Sequence, residues 1–358
     1  MSNPIFNDKR FLIDHIESVM KFYHPHCINN NTGGFFQYFR DDGSIYDFDN
    51  KHLVSSTRFI FNYSMAAIQF DNKDYLDAAL HGIDYLRDSH LNKNTGGYAW
   101  TMKGAEVNDS TNYCYGLAFV LLAYSSAYKA GILKAKDYIE ETYQLMEKHF
   151  WSKEYELYSD EISADWKVVS SYRGQNANMH SCEALIMAFE ATGSQKYLDR
   201  ALLIGKNICI RQAGLAEGLI WEHYDSNWEI NWVYNKNRPD DLFRPWGFQV
   251  GHLTEWAKLL LILERHVKED WLLPRAQELF DDAVEMGWDE KSEGLFYGFA
   301  PNGDICDKDK YFWVQAESLA AAAVLANRTG DDYYWEWYDR IWSYSWKHMI
   351  DHKYGAWF

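Results

Sequence analysis

The feature that most constrains this chain is a short aromatic turn that comes round six times. It reads NTGGFFQYF at 31–39, NTGGYAWTM at 94–102 and, without glycine, KEYELYSDE at 153–161. It returns as AEGLIWEHY at 216–224, SEGLFYGFA at 292–300 and KYGAWF at 353–358. The copies lie roughly 60 residues apart, once nearer 75. A fixed period of that length signals stacked supersecondary units, none of which can bury its apolar face alone. Each copy reads as a tight turn or short hairpin in which glycine takes the unusual dihedrals and the aromatic rings cover it.

Between the turns the apolar period is helical. It predicts helices near 9–24, 53–70, 74–90, 110–130, 135–150 and 175–193, then 196–212, 247–266, 270–287, 313–328 and 331–350. Helices that precede a turn look alike: DYLDAALHGIDYLRD at 74–88 resembles KYLDRALLIGKNICI at 196–210. Six units, each pairing an inner with an outer helix, predict an all-α fold: a single (α/α)6 barrel over 1–358. A closed ring buries the inner faces that isolated helix pairs leave in water. An open α-solenoid is the alternative. Inner helices should be the more apolar and richer in small residues, as GLAFVLLAYSSA (116–127) and SLAAAAVLAN (318–327) are. Only eleven helices precede Phe358, so a complete ring needs a twelfth, inner helix after the sixth turn.

Composition narrows the partners. With 35 basic against 52 acidic residues the formal charge is −17, which repels a phosphate backbone or an anionic membrane surface. Neither nucleic acid nor membrane is expected as a partner. Aromatic residues make up 17% of the chain; rings in such number pack large helical cores and also line clefts that bind the CH-rich face of a sugar. The five cysteines (Cys27, Cys114, Cys182, Cys209, Cys306) are scattered and lack CxxC spacing, as expected of reduced thiols. With no signal-peptide-like run at the N-terminus, the expected compartment is the cytoplasm. P-loop, GxGxxG, GxSxG and HExxH patterns are all missing, so no cofactor and no catalytic metal are expected. No feature of the sequence specifies an oligomeric state.

Polar groups gather where loops enter the inner helices. NANMHSCEAL places Asn176 and His180 four apart on one helical face. FRPWGFQVGHLTEWAKLL places His252 and Glu255 three apart; a carboxylate beside an imidazole holds its tautomer and raises its basicity, which suits a general base. HLVSSTRFIFNYS carries Arg58, whose guanidinium suits sugar hydroxyls or a developing enediolate. STNYCYGLAFVLLAY carries Tyr115, and DKYFWVQAESLAAA sets Trp313 and Glu317 four apart. Arg244 and Gln249 lie nearby. The plain alternatives are a structural histidine, a surface arginine, a packing tyrosine and a core tryptophan.

HLVSSTRF, NANMHSCEA, GFQVGHLTEWAKLL and KYFWVQAES, in this order and spacing, resemble the N-acylglucosamine 2-epimerase superfamily. The resemblance spans nearly the whole chain and is strongest to its mannose isomerase, sulfoquinovose isomerase and mannose 2-epimerase branch. It implies an (α/α)6 barrel and cofactor-independent isomerisation or epimerisation of a free sugar. It makes His252 a general acid/base with Glu255 as its orienting partner and gives His180 a place in ring opening or proton shuttling. Arg58, Tyr115, Asn176, Trp313 and Glu317 are put around the sugar. It also implies a third histidine on a helix following KYGAWF.

The expected reaction is interconversion of an aldose and a ketose, of the D-mannose/D-fructose type, by proton transfer through a cis-enediol. A 2-epimerase is the near rival, since the outcome depends on where a second base lies relative to C1 and C2. From other classes come an (α/α)6 glycoside hydrolase using Glu255 and Glu317 as its carboxylates, and a non-catalytic sugar-binding protein. Few basic residues accompany Arg58, Arg244 and Arg238, which favours a neutral hexose.

Overall fold

Eleven α-helices carry the periodicity among the described residues, which are 4–241 and 243–358 of a computed structural model. In chain order they are α1 (Lys9–Tyr23), α2 (Leu53–Phe70), α3 (Lys73–Tyr85), α4 (Cys114–Lys129), α5 (Ala135–His149) and α6 (Gln175–Thr192). Then follow α7 (Gln195–Lys206), α8 (Val250–Glu264), α9 (Leu272–Gly287), α10 (Phe312–Thr329) and α11 (Asp332–His348). None of them is long and apolar enough to cross a membrane.

Tertiary contacts move four of the expected boundaries. Helices expected over 74–90 and 196–212 leave the α form at Tyr85 and Lys206 and continue as π-helical turns, Leu86–His90 and Asn207–Gln212. In the first of these the wider turn buries both Leu86 and His90, and His90 Nδ1 donates to the Ala99 carbonyl at 2.8 Å. At the other end, α4 and α8 begin later than the apolar pattern. Asn112–Tyr113 pair with Glu161–Ile162, and Phe248–Gln249 pair with Gly298–Phe299, so ladder bonds hold those residues extended.

The helices fall into two compact units. One holds Met20–Ile204 with Ser226–Trp228; the other holds the N-terminal segment to Val19, Gly205–Asp225 and Glu229–Phe358. In the first, α4 packs between α2 and α6, with α3 against α2 and α5 against α4. Thirteen of the sixteen residues of α4 are buried, whereas α5 buries a single stripe, Ala135, Ile139, Thr142, Tyr143 and Met146, at helical spacing. In the second unit α8 packs against α10, with α9 on α8 and α11 on α10. There Phe6, Phe11 and His15 meet Trp342, and Trp357 Nε1 donates to His15 Nε2 at 2.8 Å.

The turns are closed in two ways. Gly34 adopts φ +68°, and a Cβ there would lie 2.6 Å from the Tyr85 ring, so both dihedral and space demand glycine. The glycine-less copy puts Glu156 in the same left-handed region, at φ 52°. A buried amide on the following helix then grips the turn. Asn178 of α6 accepts from Tyr158 N–H at 2.8 Å and donates to its carbonyl at 3.0 Å. Gln315 of α10 does the same to Leu295, at 3.0 and 2.9 Å. These two clamps hold the third and fifth turns to the starts of α6 and α10, where candidate residues sit.

Candidate active site

In the first unit the candidates converge on one aromatic ring. His180, the sixth residue of α6, lies with its ring 4.8 Å from Phe119 and 5.0 Å edge-on from Tyr115, both on α4. The Arg58 guanidinium, from α2, sits over the same Phe119 ring, 4.6 Å from its centre. Phe119 therefore joins Arg58, Tyr115 and His180. His180 Nδ1 pairs with Glu183 Oε2 at 3.0 Å, and the histidine side chain is only 9% exposed. Asn176 stands one helical turn before His180; its Oδ1 is buried and accepts no hydrogen bond among the described residues. The start of α2 is fixed by His52, whose Nδ1 accepts from Val54 N–H at 3.1 Å. Burial holds the His52 pKa below the ordinary imidazole value, in keeping with that acceptor role.

In the second unit His252 is the third residue of α8. Its Nδ1 lies 2.9 Å from Glu222 Oε1, in the fourth aromatic turn. Both groups are largely shielded, with side chains 12% and 5% exposed. Trp313, near the start of α10, faces the same imidazole, ring centres 5.2 Å apart. Gly251 makes that approach possible: a Cβ there would lie 2.4 Å from Trp313 Cζ3. Tyr297 props the indole edge-on at 5.8 Å. Glu317, one turn after Trp313, forms an ion pair with Lys258 of α8, and Glu255 is buried one turn beyond His252. Arg244 donates to the Tyr234 hydroxyl at 3.2 Å, and Gln249 is buried beneath the start of α8.

One expectation is corrected. Glu222, thirty residues back in the chain, holds His252 Nδ1, the place expected for Glu255 three residues on. The His-x-x-Glu spacing does pair a histidine with a carboxylate, but in α6, between His180 and Glu183. Glu183 was within reach of sequence reasoning, since the three-residue rule applied to His252 holds equally for His180. Phe119 and Glu222 were not. Phe119 is one apolar residue in an apolar helix, and no local spacing links Glu222 to His252.

Comparison with known proteins fits this arrangement. A model of the N-acylglucosamine 2-epimerase (GlcNAc 2-epimerase) family matches residues 34–358. The chain is 57% identical to a D-mannose isomerase of Marinomonas mediterranea, over all of this chain and 91% of that protein. A crystal structure of D-mannose isomerase superposes with a TM-score of 0.98 at 57% identity, covering 100% of this chain and 91% of the other. The structure of cellobiose 2-epimerase from Bacillus thermoamylovorans superposes with a TM-score of 0.85 at 18% identity, over 98% of this chain and 91% of that one, a likeness of fold. The fold class is accordingly all-α, that of the (α/α)6 barrels. A family match over nine-tenths of the sequence, joined to full-length identity above half, means that the chain belongs to the N-acylglucosamine 2-epimerase family.

Proposed function

We propose that this protein is an aldose–ketose isomerase that interconverts D-mannose and D-fructose, with His252 as the acid/base group. The observation that carries the reading is the setting of His252: a shielded imidazole bound through Nδ1 to a carboxylate and flanked by an indole face. A sugar stacked on such an indole brings its C–H bonds toward the second ring nitrogen. The 57% identity to an enzyme named D-mannose isomerase supports the choice of sugar.

The steps follow from the chemistry of a reducing sugar. The pyranose opens, and His252 takes the proton from C2, made acidic by the C1 aldehyde. The electron pair moves into a cis-enediol. Return of the proton to C1 yields the ketose, so C1 is reduced as C2 is oxidised and no electron leaves the molecule. The roles of Arg58, Tyr115, Asn176 and His180, as sugar contacts and in ring opening, belong to the same proposal. Arg58 is suited to a developing enediolate because its guanidinium offers several donors in a fixed plane. Trp313 and Glu317 contribute the stacking face and a hydroxyl acceptor. The hydrolase alternative needs Glu255 and Glu317 as working carboxylates, yet Glu317 is held by Lys258. A cytoplasmic setting is supported by five cysteines free of disulfides.

Proton NMR of D-mannose with the protein in D₂O tests the reading. Fructose signals, with deuterium entering at C1, are the expected result. Glucose deuterated at C2 would replace it with a 2-epimerase, and unchanged mannose would overturn it. His252→Ala should abolish turnover while mannose still binds; a mutant as fast as the parent would remove His252 from the chemistry.

A further inference from the structure

We propose that Glu222 is the positioning residue that sets the tautomer and basicity of His252, a role that rests on the reading of His252 as the acid/base group. An ionised carboxylate can only accept, so a neutral His252 bonded to it carries its proton on Nδ1 and its basic lone pair on Nε2. Once Nε2 has taken a proton from carbon, the same carboxylate stabilises the imidazolium. With Glu222 and His252 side chains only 5% and 12% exposed, water screens little of that interaction.

Two imidazoles compete for Glu222, and the structure decides between them. His223 is the next residue, 2% exposed, and its Nε2 lies 2.7 Å from the Pro245 carbonyl. A carbonyl accepts, so the His223 proton sits on Nε2 and is already committed. Burial holds the His223 pKa below its ordinary value, with Arg244 and His252 pressing the same way against the pull of Glu222. The imidazole bonded to Glu222 Oε1 is that of His252. The segment bearing Glu222 is also pinned: Trp221 is fully buried, donates to the Asn231 carbonyl at 3.2 Å and packs edge-on against Phe248 at 5.0 Å. The further charged groups near His252 within this unit are Glu255 on its own helix and the Lys258–Glu317 ion pair.

The test combines kinetics with imidazole ¹⁵N NMR. In Glu222→Gln, kcat should fall about 10- to 100-fold, the cost typical of losing the group that orients an active histidine. KM should change by less than about twofold, because Glu222 acts through another side chain. Losing the negative charge makes the imidazolium easier to deprotonate, so the acidic limb of the kcat/KM profile should move to lower pH. Glu222→Asp should recover part of kcat and return the limb toward the parent. In the parent protein the His252 ¹⁵N signals should report a protonated Nδ1 and an unprotonated Nε2 above that limb. An unmoved limb with kcat within twofold in Glu222→Gln, or an Nε2-protonated parent, would overturn the proposal. The NMR readout needs no turnover. A parent that shows the expected tautomer but leaves mannose unchanged therefore removes the proposed function and keeps the Glu222 role, and it also decides the matter should Glu222→Gln fail to fold.

Discussion

Replacing Gly251 by alanine separates helix stability from site geometry. Gly251 is the second residue of α8, and glycine there costs about 1 kcal/mol of helix propensity relative to alanine. The new methyl, however, would lie 2.4 and 2.7 Å from Trp313 Cζ3 and Cη2, and 3.1 Å from Val314 Cγ2. Ordinary contact begins near 3.4 Å, so the indole must shift by about 1 Å. The clashing atoms are the outer edge of a half-buried ring, which can swing without breaking either helix. Overpacking of about 1–3 kcal/mol is therefore partly offset by the propensity gain, leaving a net loss of about 0–2 kcal/mol. The kinetic effect should be larger than the stability effect: displacing Trp313 from its place 5.2 Å from His252 should lower kcat/KM about tenfold or more. Thermal unfolding and mannose turnover are measured for Gly251→Ala, Trp313→Ala and the double variant. In the Trp313→Ala background the indole clash is gone and only the 3.1 Å approach to Val314 Cγ2 remains, so alanine at 251 should cost clearly less than in the parent. If alanine destabilises the double variant as much as the parent, the steric reasoning is wrong.

Two further outcomes are open to measurement. Gln315→Leu removes both partners of the Leu295 backbone and strands two buried groups, so denaturant melting should show a loss of about 2–4 kcal/mol; a loss below about 0.5 kcal/mol would mean the clamp is idle. Burial first, then the neighbouring Asp282, raises the Asp281 pKa from 3.8 to about 6. A carboxyl raised on folding binds its proton more tightly in the native state, so its contribution to stability falls as pH rises from about 4 to 6. Asp281→Asn should accordingly raise the Tm more at pH 7.5 than at pH 4.5, and an equal change at both would refute that sign.

Local patterning was enough to read the helices of this protein. Burial of one stripe or one whole surface depends on residues three and four apart, so Leu53–Phe70 and Gln175–Thr192 lie within a residue of where the apolar period puts them. The recurring turns were equally legible, because glycine beside aromatic residues has a local dihedral meaning. Of the site, the histidines and Arg58 stood out as polar groups at the mouths of apolar helices, and the resemblance in HLVSSTRF and GHLTEW named a family that full-length comparison bears out. The partners of those groups were decided elsewhere. The π-helical turns at Leu86–His90 and Asn207–Gln212 answer to where the chain must enter the next turn. Glu222 reaches His252 across thirty residues, and Phe119 gathers Arg58, Tyr115 and His180 from three different helices. A hydrogen bond forms where two atoms come within about 3 Å, and that distance is set by how helices and strands pack, which periodicity along the chain does not encode.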